Sequence, residues 1–455
     1  MQNRVQPHRR CKRARCAEPL DPLRGRAARP RLSERETEES EAEETAWSRT
    51  ESAREDRYWR HIGRDRRAVY HASWKAARRN PSRVPYLFRL LSPALPAPAR
   101  REGLERLEQL KRTDDAGECA KGRQWLDGLL RIPFGTHVSA PTGAGAAERL
   151  CAAHKALESA VHGHTEAKES ILHLVAQEVS APRSKPPVIG LQGPMGNGKT
   201  TLVREGVAKA LCRPFAQVSL GGASDAAMLQ GHSYTYEGSR WGRLVQVLMD
   251  TRCMNPIVYF DELDKLGGSD KGRDLEALLI HLTDDSQNSA FHDKYFDGIE
   301  IDMSRALFIF SFNHESAINP ILRDRLTIIR TQALTAREKH HIAEHYLVPR
   351  TLRNLGLPAE HVRFLPETGP ALVAHAAEER GVRRMKQLIE CVLSRILTLS
   401  IDPPGAAGDD RGYLECLPPG LRGLRLCAPV PLTAPMVGRL ARRDAPPTYP
   451  AHMYT

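Results

Sequence analysis

Two short stretches of this chain combine residue types whose spacing can do chemistry. The first, Gly193-Pro-Met-Gly-Asn-Gly-Lys199-Thr200, fits the pattern G-x-x-x-x-G-K-[ST] at every fixed position. Glycines at those points let successive backbone N–H groups wrap phosphate oxygens, and the start of a following helix adds a favourable dipole. Lys199 brings a point charge to the β and γ oxygens of a triphosphate, and the Thr200 hydroxyl can ligate Mg²⁺. The predicted nucleotide cradle is therefore Gly193, Pro194, Met195, Gly196, Asn197, Gly198, Lys199 and Thr200, with the adjoining Thr201. The second stretch, Asn255-Pro-Ile-Val-Tyr-Phe-Asp261-Glu262, is an apolar run that ends in two acids. Placing carboxylates at the tip of a buried strand is costly unless a cation or hydrogen-bond donors meet them. Asp261 suits outer-sphere coordination of Mg²⁺, and Glu262 can orient and polarise an attacking water. The plainer alternatives are a Gly-rich turn with a solvated lysine and a strand that simply ends in a polar loop. A paired acid following a complete phosphate loop favours catalysis over both.

Such residues need a scaffold that brings strand ends together. Apolar runs at Val188–Gln192, Phe215–Leu220, Ile257–Phe260, Ala306–Ser311 and Thr327–Ile329 read as strands. Each is short and rich in β-branched or aromatic residues, as a strand buried on both faces should be. Helical stretches alternate with them, Thr201–Leu211 directly after the phosphate loop among them. The expected fold class is α/β, a parallel sheet flanked by helices. After Gln332 the pattern turns helical: Thr335-x-x-Glu338 forms a capping box opening one helix, and Gly381–Leu399 carries another, so a helical lid is expected over 334–400. Upstream, Leu104, Leu107 and Leu110 share a helix face, and Gln124–Gly135 reads as an apolar helix stopped by Pro133 and Gly135. A Gly/Ala-rich linker at 139–147 precedes helical periodicity through Leu150–Val179. The nucleotide-binding domain is expected over 150–333, behind a helical leader at 83–149. A Pro/Gly-rich tail at 401–455 carries a short strand and helix between Leu424 and Leu440.

Bulk composition narrows the setting. The chain has 455 residues, with 67 Lys+Arg against 55 Asp+Glu for a formal charge of +12. That excess admits a polyanionic partner without locating its face. Residues 1–82 are rich in charge and poor in large apolar side chains, notably the acidic run Glu34–Glu44, and read as disordered. Within them, Tyr58, Trp59, Tyr70 and Trp74 alternate with arginines, a composition that can stack on and attract single-stranded nucleic acid; a short surface helix explains it equally. The basic stretch His8–Arg15 could serve as a nuclear address, and an organellar leader stays open. No apolar run reaches the roughly 20 residues of a membrane span, so no membrane role is expected. The nine cysteines are scattered, with Cys11 and Cys16 too few to hold a metal alone. That usage points to a reducing intracellular setting, cytoplasmic or nuclear.

From 124 to 400 the chain resembles the ATPase module of Lon-type AAA+ proteases. The resemblance is carried by GPMGNGKTTLV (193–203), VSLGGASDAAMLQGHSYTYEG (218–238), NPIVYFDELDKLG (255–267), DDSQNSAFHDKYF (284–296), LFIFSFN (307–313), ILRDRL (321–326), YLVPRTLRNLGL (346–357) and ERGVRRMKQLI (379–389). The pairing of SLGG with a later GH and TYxG is particular to that family. The resemblance implies that Asn313 positions the water near the γ-phosphate and that Arg325 is an arginine finger reaching a neighbouring subunit's ATP, with Arg323 as its rival. It implies that Arg383 reads nucleotide state from the lid, and that Ala160–Lys168, through Gly163, lies against adenine. ATP and Mg²⁺ are the implied cofactors, and a homo-oligomeric ring, a hexamer, is the implied assembly.

The departures shape the functional expectation. Beyond Arg383 the sequence offers no counterpart of the family's Ser-Lys protease domain, and peptide cleavage is not expected. Tyr236 matches the aromatic of the central-pore loop, but Glu237 follows it, and Arg240 and Trp241 replace an apolar pair. Polypeptide threading is thereby in question, and ordinary packing of Tyr236 stays open. The leading expectation is an ATP hydrolase that remodels a protein or assembly. The competing ones are an ATPase partner of a separate protease and a nucleic-acid-directed motor using residues 1–82.

Overall fold

Strand-forming runs that are mostly apolar need cover on both faces, and five such runs pair here into one sheet. The structure is a computed structural model and describes residues 63, 66–67, 69–70, 84–139, 145–181, 184–222, 225–236, 238–266, 270–376, 379–400 and 429–441. The sheet contains β1 (Ile189–Gln192), β2 (Phe215–Ser219), β3 (Ile257–Asp261), β6 (Leu307–Phe312) and β7 (Thr327–Arg330), in the order β2-β3-β6-β1-β7. All four pairings are parallel. Each expected strand is present, with no bound moved by more than one residue. A short antiparallel pair, β4 (Phe291–His292) with β5 (Glu300–Ile301), lies between β3 and β6 in the chain and was not legible as apolar runs.

Side chains alternate across the sheet with period two, and each face has its own core. Val258, Phe260, Phe308, Phe310 and Phe312 face one way, where Phe260 and Phe310 stack at 4.8 Å between ring centroids. Their cover comes from Leu244 and Leu248 of α8 (Arg243–Thr251) and Leu275 and Leu279 of α9 (Asp270–Leu282). The leader helices α1 (Tyr86–Leu90), α2 (Ala97–Arg112) and α3 (Ala116–Leu129) join the same core through Leu90, Trp125 and Leu129. The indole N–H of Trp125 donates to the Tyr295 carbonyl at 3.1 Å, so even this aromatic's polar edge is satisfied. The opposite face carries Leu191, Ile257, Tyr259, Leu307 and Ile309. It is covered by α4 (Ala146–Ala160), α5 (Thr165–Ser180) and the helix α6 over 199–211. Inside α6, Leu202–Val207 widens into π-type hydrogen bonding directly behind the phosphate loop.

The helix starts differ from the expected ones for local reasons. The expected helix at 124–135 begins at Ala116 instead, because the Asp115 carboxylate accepts from the N–H groups of Gly117 and Glu118. It ends at Leu129, ahead of Pro133. The lid opens as expected at Thr335, whose hydroxyl accepts from the Glu338 N–H while the Glu338 carboxylate accepts from the Thr335 N–H. This helix, α11 (336–355), follows the short α10 (Pro320–Asp324) and precedes α12 (Thr368–His375) and α13 (Arg383–Ser400). The short strand and helix of the tail turn back into the lid: β9 (Val430–Leu432) pairs with β8 (Val362–Phe364), and α14 (Ala434–Ala441) buries Val437 and Leu440 among Met385, Ile389 and Val392.

Apart from five residues between 63 and 70, the charged segment 1–82 lies outside the described residues, as do Cys11, Cys16, Glu237 and 402–420. Among the described residues Cys119, Cys151, Cys212, Cys253 and Cys391 are free, and no helix is long and apolar enough to cross a membrane.

Candidate nucleotide site

Register sets the site. Gln192 pairs with Phe312 and with Arg330, and Ser219 pairs with Asp261, so the carboxyl ends of all five strands lie along one edge. In a parallel sheet that edge is where loops converge on a ligand. Here it collects the loop after β1 and the acids after β3. Asn313 after β6 also lies there, and the lid covers the cleft from the other side.

The phosphate loop needs glycine for two separate reasons. Gly196 and Gly198 have φ of 75° and 94°, in the left-handed region. Gly193 faces close packing instead: a Cβ there would stand 2.0 Å from the Thr331 hydroxyl and 2.6 Å from its carbonyl oxygen. Asn197 is buried, donating from Nδ2 to Thr331 Oγ1 at 2.8 Å, and its backbone carbonyl accepts from His164 Nε2 at 2.9 Å. The latter contact fixes the proton of His164 on Nε2.

Lys199 Nζ donates to the Gly193 carbonyl at 2.6 Å, the Pro194 carbonyl at 3.0 Å and Asn313 Oδ1 at 3.1 Å. Burial pulls its pKa below the ordinary lysine range, while the charges of Asp261 and Asp264 push it back up. The Thr200 hydroxyl lies 3.1 Å from that of Tyr259. Asp261 accepts at Oδ1 from Ser311 Oγ, and at Oδ2 from Gln217 Nε2 at 3.4 Å. Glu262 adopts φ 65° and ψ 46°, a left-handed conformation unusual for a non-glycine residue and concentrated at functional sites. Its carboxylate lies over Gly221, where any Cβ would stand 1.9 Å from Oε2.

One cavity of about 510 Å³ is lined by Met195, Gly196, Asn197, Gly198, Lys199, Thr200, Thr201, Asp261, Glu262 and Asn313, and by Arg350, Arg383 and Lys386 from the lid. The lid touches the loop directly, the Val382 N–H donating to the Gly196 carbonyl at 3.0 Å. Gly381 makes this approach sterically open, since a Cβ there would stand 2.4 Å from the Met195 carbonyl oxygen. The Glu379 carboxylate accepts from the N–H groups of Arg383 and Arg384 at the start of α13, which holds Arg383 at the cavity wall.

Not every expected residue converges. Gly163, with φ 75°, borders a neighbouring cleft beside Glu338, whereas Val161 and His162 line a cavity shared with Gly198, Thr201 and Tyr346. Arg325 is outside the cavity of its own chain, bound to the Ile280 carbonyl and, at 3.0 Å, to Asp284. Arg323 is more exposed and pairs with Glu315. Tyr236 is 68% exposed, which removes ordinary packing as its explanation. Trp241 is the packed member of that loop, stacked on Phe296 at 6.0 Å with its N–H on Gln246.

Other contributors escaped the sequence reading. The Asp264 carboxylate accepts from the N–H groups of Asn313 and His314, each at 3.1 Å, and so sets the start of the loop carrying Asn313. Its signal was the second aspartate of Asp-Glu-Leu-Asp. Tyr259 had a signal too, because period two along β3 puts it on the face of Asp261. Ser311, Arg350 and Lys386 carried none.

A five-stranded parallel sheet in this order, with a phosphate loop after β1 and an acid pair at the end of β3, is the arrangement of a P-loop nucleotide-binding fold. The model of the ATPase family associated with various cellular activities (AAA) matches residues 189–334. Over 340 residues the chain is 34% identical to a Lon protease of Salinispora arenicola, covering 72% of this chain and 42% of that protein. It is 35% identical to Lon proteases of Trichlorobacter lovleyi over 303 residues and Chlamydia trachomatis over 293, covering 66% and 64% of this chain. Over the aligned stretch the chain is similar to the ATPase-bearing part of these relatives, and it spans less than half their length.

Proposed function

We propose that this protein binds ATP with Mg²⁺ in the cleft at the sheet edge and hydrolyses it to drive motion of the lid. The observation that carries the proposal is the meeting of Lys199, Thr200, Asp261, Glu262 and Asn313 in one cavity closed by lid arginines. The donor set suits Mg²⁺, a hard cation that takes one or two protein oxygens and completes its shell with water and phosphate. Among the described residues no group of three or more His, Cys, Asp or Glu is arranged to hold a metal by itself, which is compatible with a shell shared among protein, water and nucleotide. When bound, the ion would be held by Thr200 and Asp261 and would neutralise phosphate charge.

The chain's own residues then divide the work. Backbone N–H groups of Gly196–Thr200 hold phosphate oxygens, and Lys199 exchanges its carbonyl partners for them. Glu262 accepts a hydrogen bond from the attacking water and orients it, with Asn313 steadying the γ-phosphate side. Arg325, bound away from its own cleft, completes a neighbouring subunit's site and neutralises charge that develops during transfer. Hydrolysis at subunit interfaces requires a ring, for which a hexamer is the proposed form. Arg383 ties the outcome to the lid. The mechanical task is remodelling of a protein or assembly, with exposed Tyr236 supplying contact; no peptide cleavage is assigned to the described residues.

ATP turnover measured with and without casein, DNA and RNA tests this reading. Stimulation by casein is expected. Stimulation by nucleic acid alone, lost on deleting residues 1–82, would replace protein remodelling with a nucleic-acid-directed motor.

A further inference from the structure

The interior strand β3 carries one hydroxyl up against Thr200 and Asp261, two residues that line the cleft. Tyr259 is completely buried, its ring packed near Phe215 at 5.9 Å between centroids and among the apolar residues of the α6-facing core. Its oxygen lies 3.1 Å from Thr200 Oγ1 and 3.5 Å from Asp261 Oδ1. It therefore stands between the two side chains proposed to hold the metal, one on the phosphate loop and one at the strand tip. No other side chain joins those two elements across this gap among the hydrogen bonds of the described residues.

The proton count gives the bridge a direction. An ionised Asp261 can only accept, and it already takes the Ser311 hydroxyl proton at Oδ1. A phenol has one hydrogen, so a Tyr259 that donates to Asp261 presents only lone pairs to Thr200. Thr200 must then donate to Tyr259, which fixes its hydrogen on the β3 side. Both lone pairs of the threonine oxygen are left for a cation. A buried hydroxyl free to rotate would instead spend part of its time with its hydrogen facing the ion.

We infer that Tyr259 is a positioning residue for metal binding: it fixes the Thr200 hydroxyl hydrogen and links the phosphate loop to Asp261. This inference rests on the ATP–Mg²⁺ reading above and adds to it a residue that touches neither nucleotide nor metal. Phenylalanine keeps the ring and removes only the bridge, and valine at 200 removes the hydroxyl that the bridge acts upon.

The test is equilibrium binding of a fluorescent ATP analogue, titrated with Mg²⁺ and repeated in EDTA, for wild type, Tyr259→Phe, Thr200→Val and the double variant. Thermal melting of each confirms that it is folded. The expected result is a rise of about 3–10-fold in the Mg²⁺ concentration for half-maximal binding by Tyr259→Phe, the size of one lost hydrogen bond. Affinity in EDTA stays at the wild-type value. In the Thr200→Val background, Tyr259→Phe adds no further shift. An unchanged Mg²⁺ dependence beside a wild type that binds normally overturns the inference alone, and so does an equal shift in both backgrounds. A wild type that retains no nucleotide at any Mg²⁺ concentration overturns the ATP reading instead.

Discussion

The nucleotide cleft and the loop between Gly231 and Gly242 share a sheet but are built on opposite terms. In the cleft the acting side chains have assigned partners: Lys199 on two loop carbonyls and Asn313, Thr200 on Tyr259, Asp261 on Ser311 and Gln217. In the loop the packed side chains gather at the base. The buried Asp293 carboxylate accepts from the N–H groups of Gly242 and Tyr295, Trp241 packs on Phe296, and Arg106 lies 4.1 Å from the ring centre of Tyr234. The apex, Tyr236, is left in solvent. The contrast fits the two proposed roles. Catalytic groups placed in advance avoid reorganisation during reaction. A surface that meets a changing partner needs an exposed anchor on a secure base.

The largest expected effect breaks the cleft. Lys199→Ala should weaken ATP binding by about 100-fold or more, the range for removing one partner of a desolvated charge pair. Equilibrium dialysis with labelled ATP measures it. Next comes Arg325→Ala, which sharpens the comparison because this arginine belongs to neither region. ATP binding should persist while turnover falls about 100-fold or more, as for a missing arginine finger. Mixing Arg325→Ala with Glu262→Gln subunits should recover turnover, since some interfaces then hold one intact site; no recovery would place Arg325 outside trans catalysis.

Two smaller effects belong to the loop. Tyr236→Ala should keep basal turnover and lose the increment produced by casein. Equal loss of both would merge the two regions that the account separates. Asp293→Asn probes the loop's base through pH. Burial raises the Asp293 pKa to about 7, against hydrogen bonds from the N–H groups of Gly242, Tyr295 and Phe296 that lower it. The folded state therefore keeps a proton that the unfolded chain releases near pH 4. Stability from this group is complete below that value and is lost as pH rises through about 7. Between pH 8 and 6 the wild type should gain about 1 kcal/mol that Asp293→Asn does not show, read from denaturant midpoints.

Legibility followed how local each determinant was. The five strands could be read because burial in the sheet interior keeps them mostly apolar, and the phosphate loop because its backbone demands glycine at fixed spacing. The start of α3 could not, since the Asp115 cap lies outside the apolar stretch that marks the helix. The pairing of β8 with β9 joins segments far apart in the chain, and nothing local announces it. Tyr259 shows the limit most clearly. Within Ile-Val-Tyr-Phe period two puts it on the face of Asp261, but nothing local announces its approach to Thr200 on the phosphate loop.

The division of labour in the cleft rests on Glu262, the acid held in a left-handed backbone at the tip of β3. Single-turnover hydrolysis of labelled ATP, run with wild type and Glu262→Gln at equal site occupancy, examines it directly. The expected outcome is phosphate release by wild type and, by the variant, retention of uncleaved ATP with a rate lower by about 10²–10⁴-fold. Equal rates for the two proteins, at equal nucleotide retention, would contradict the account.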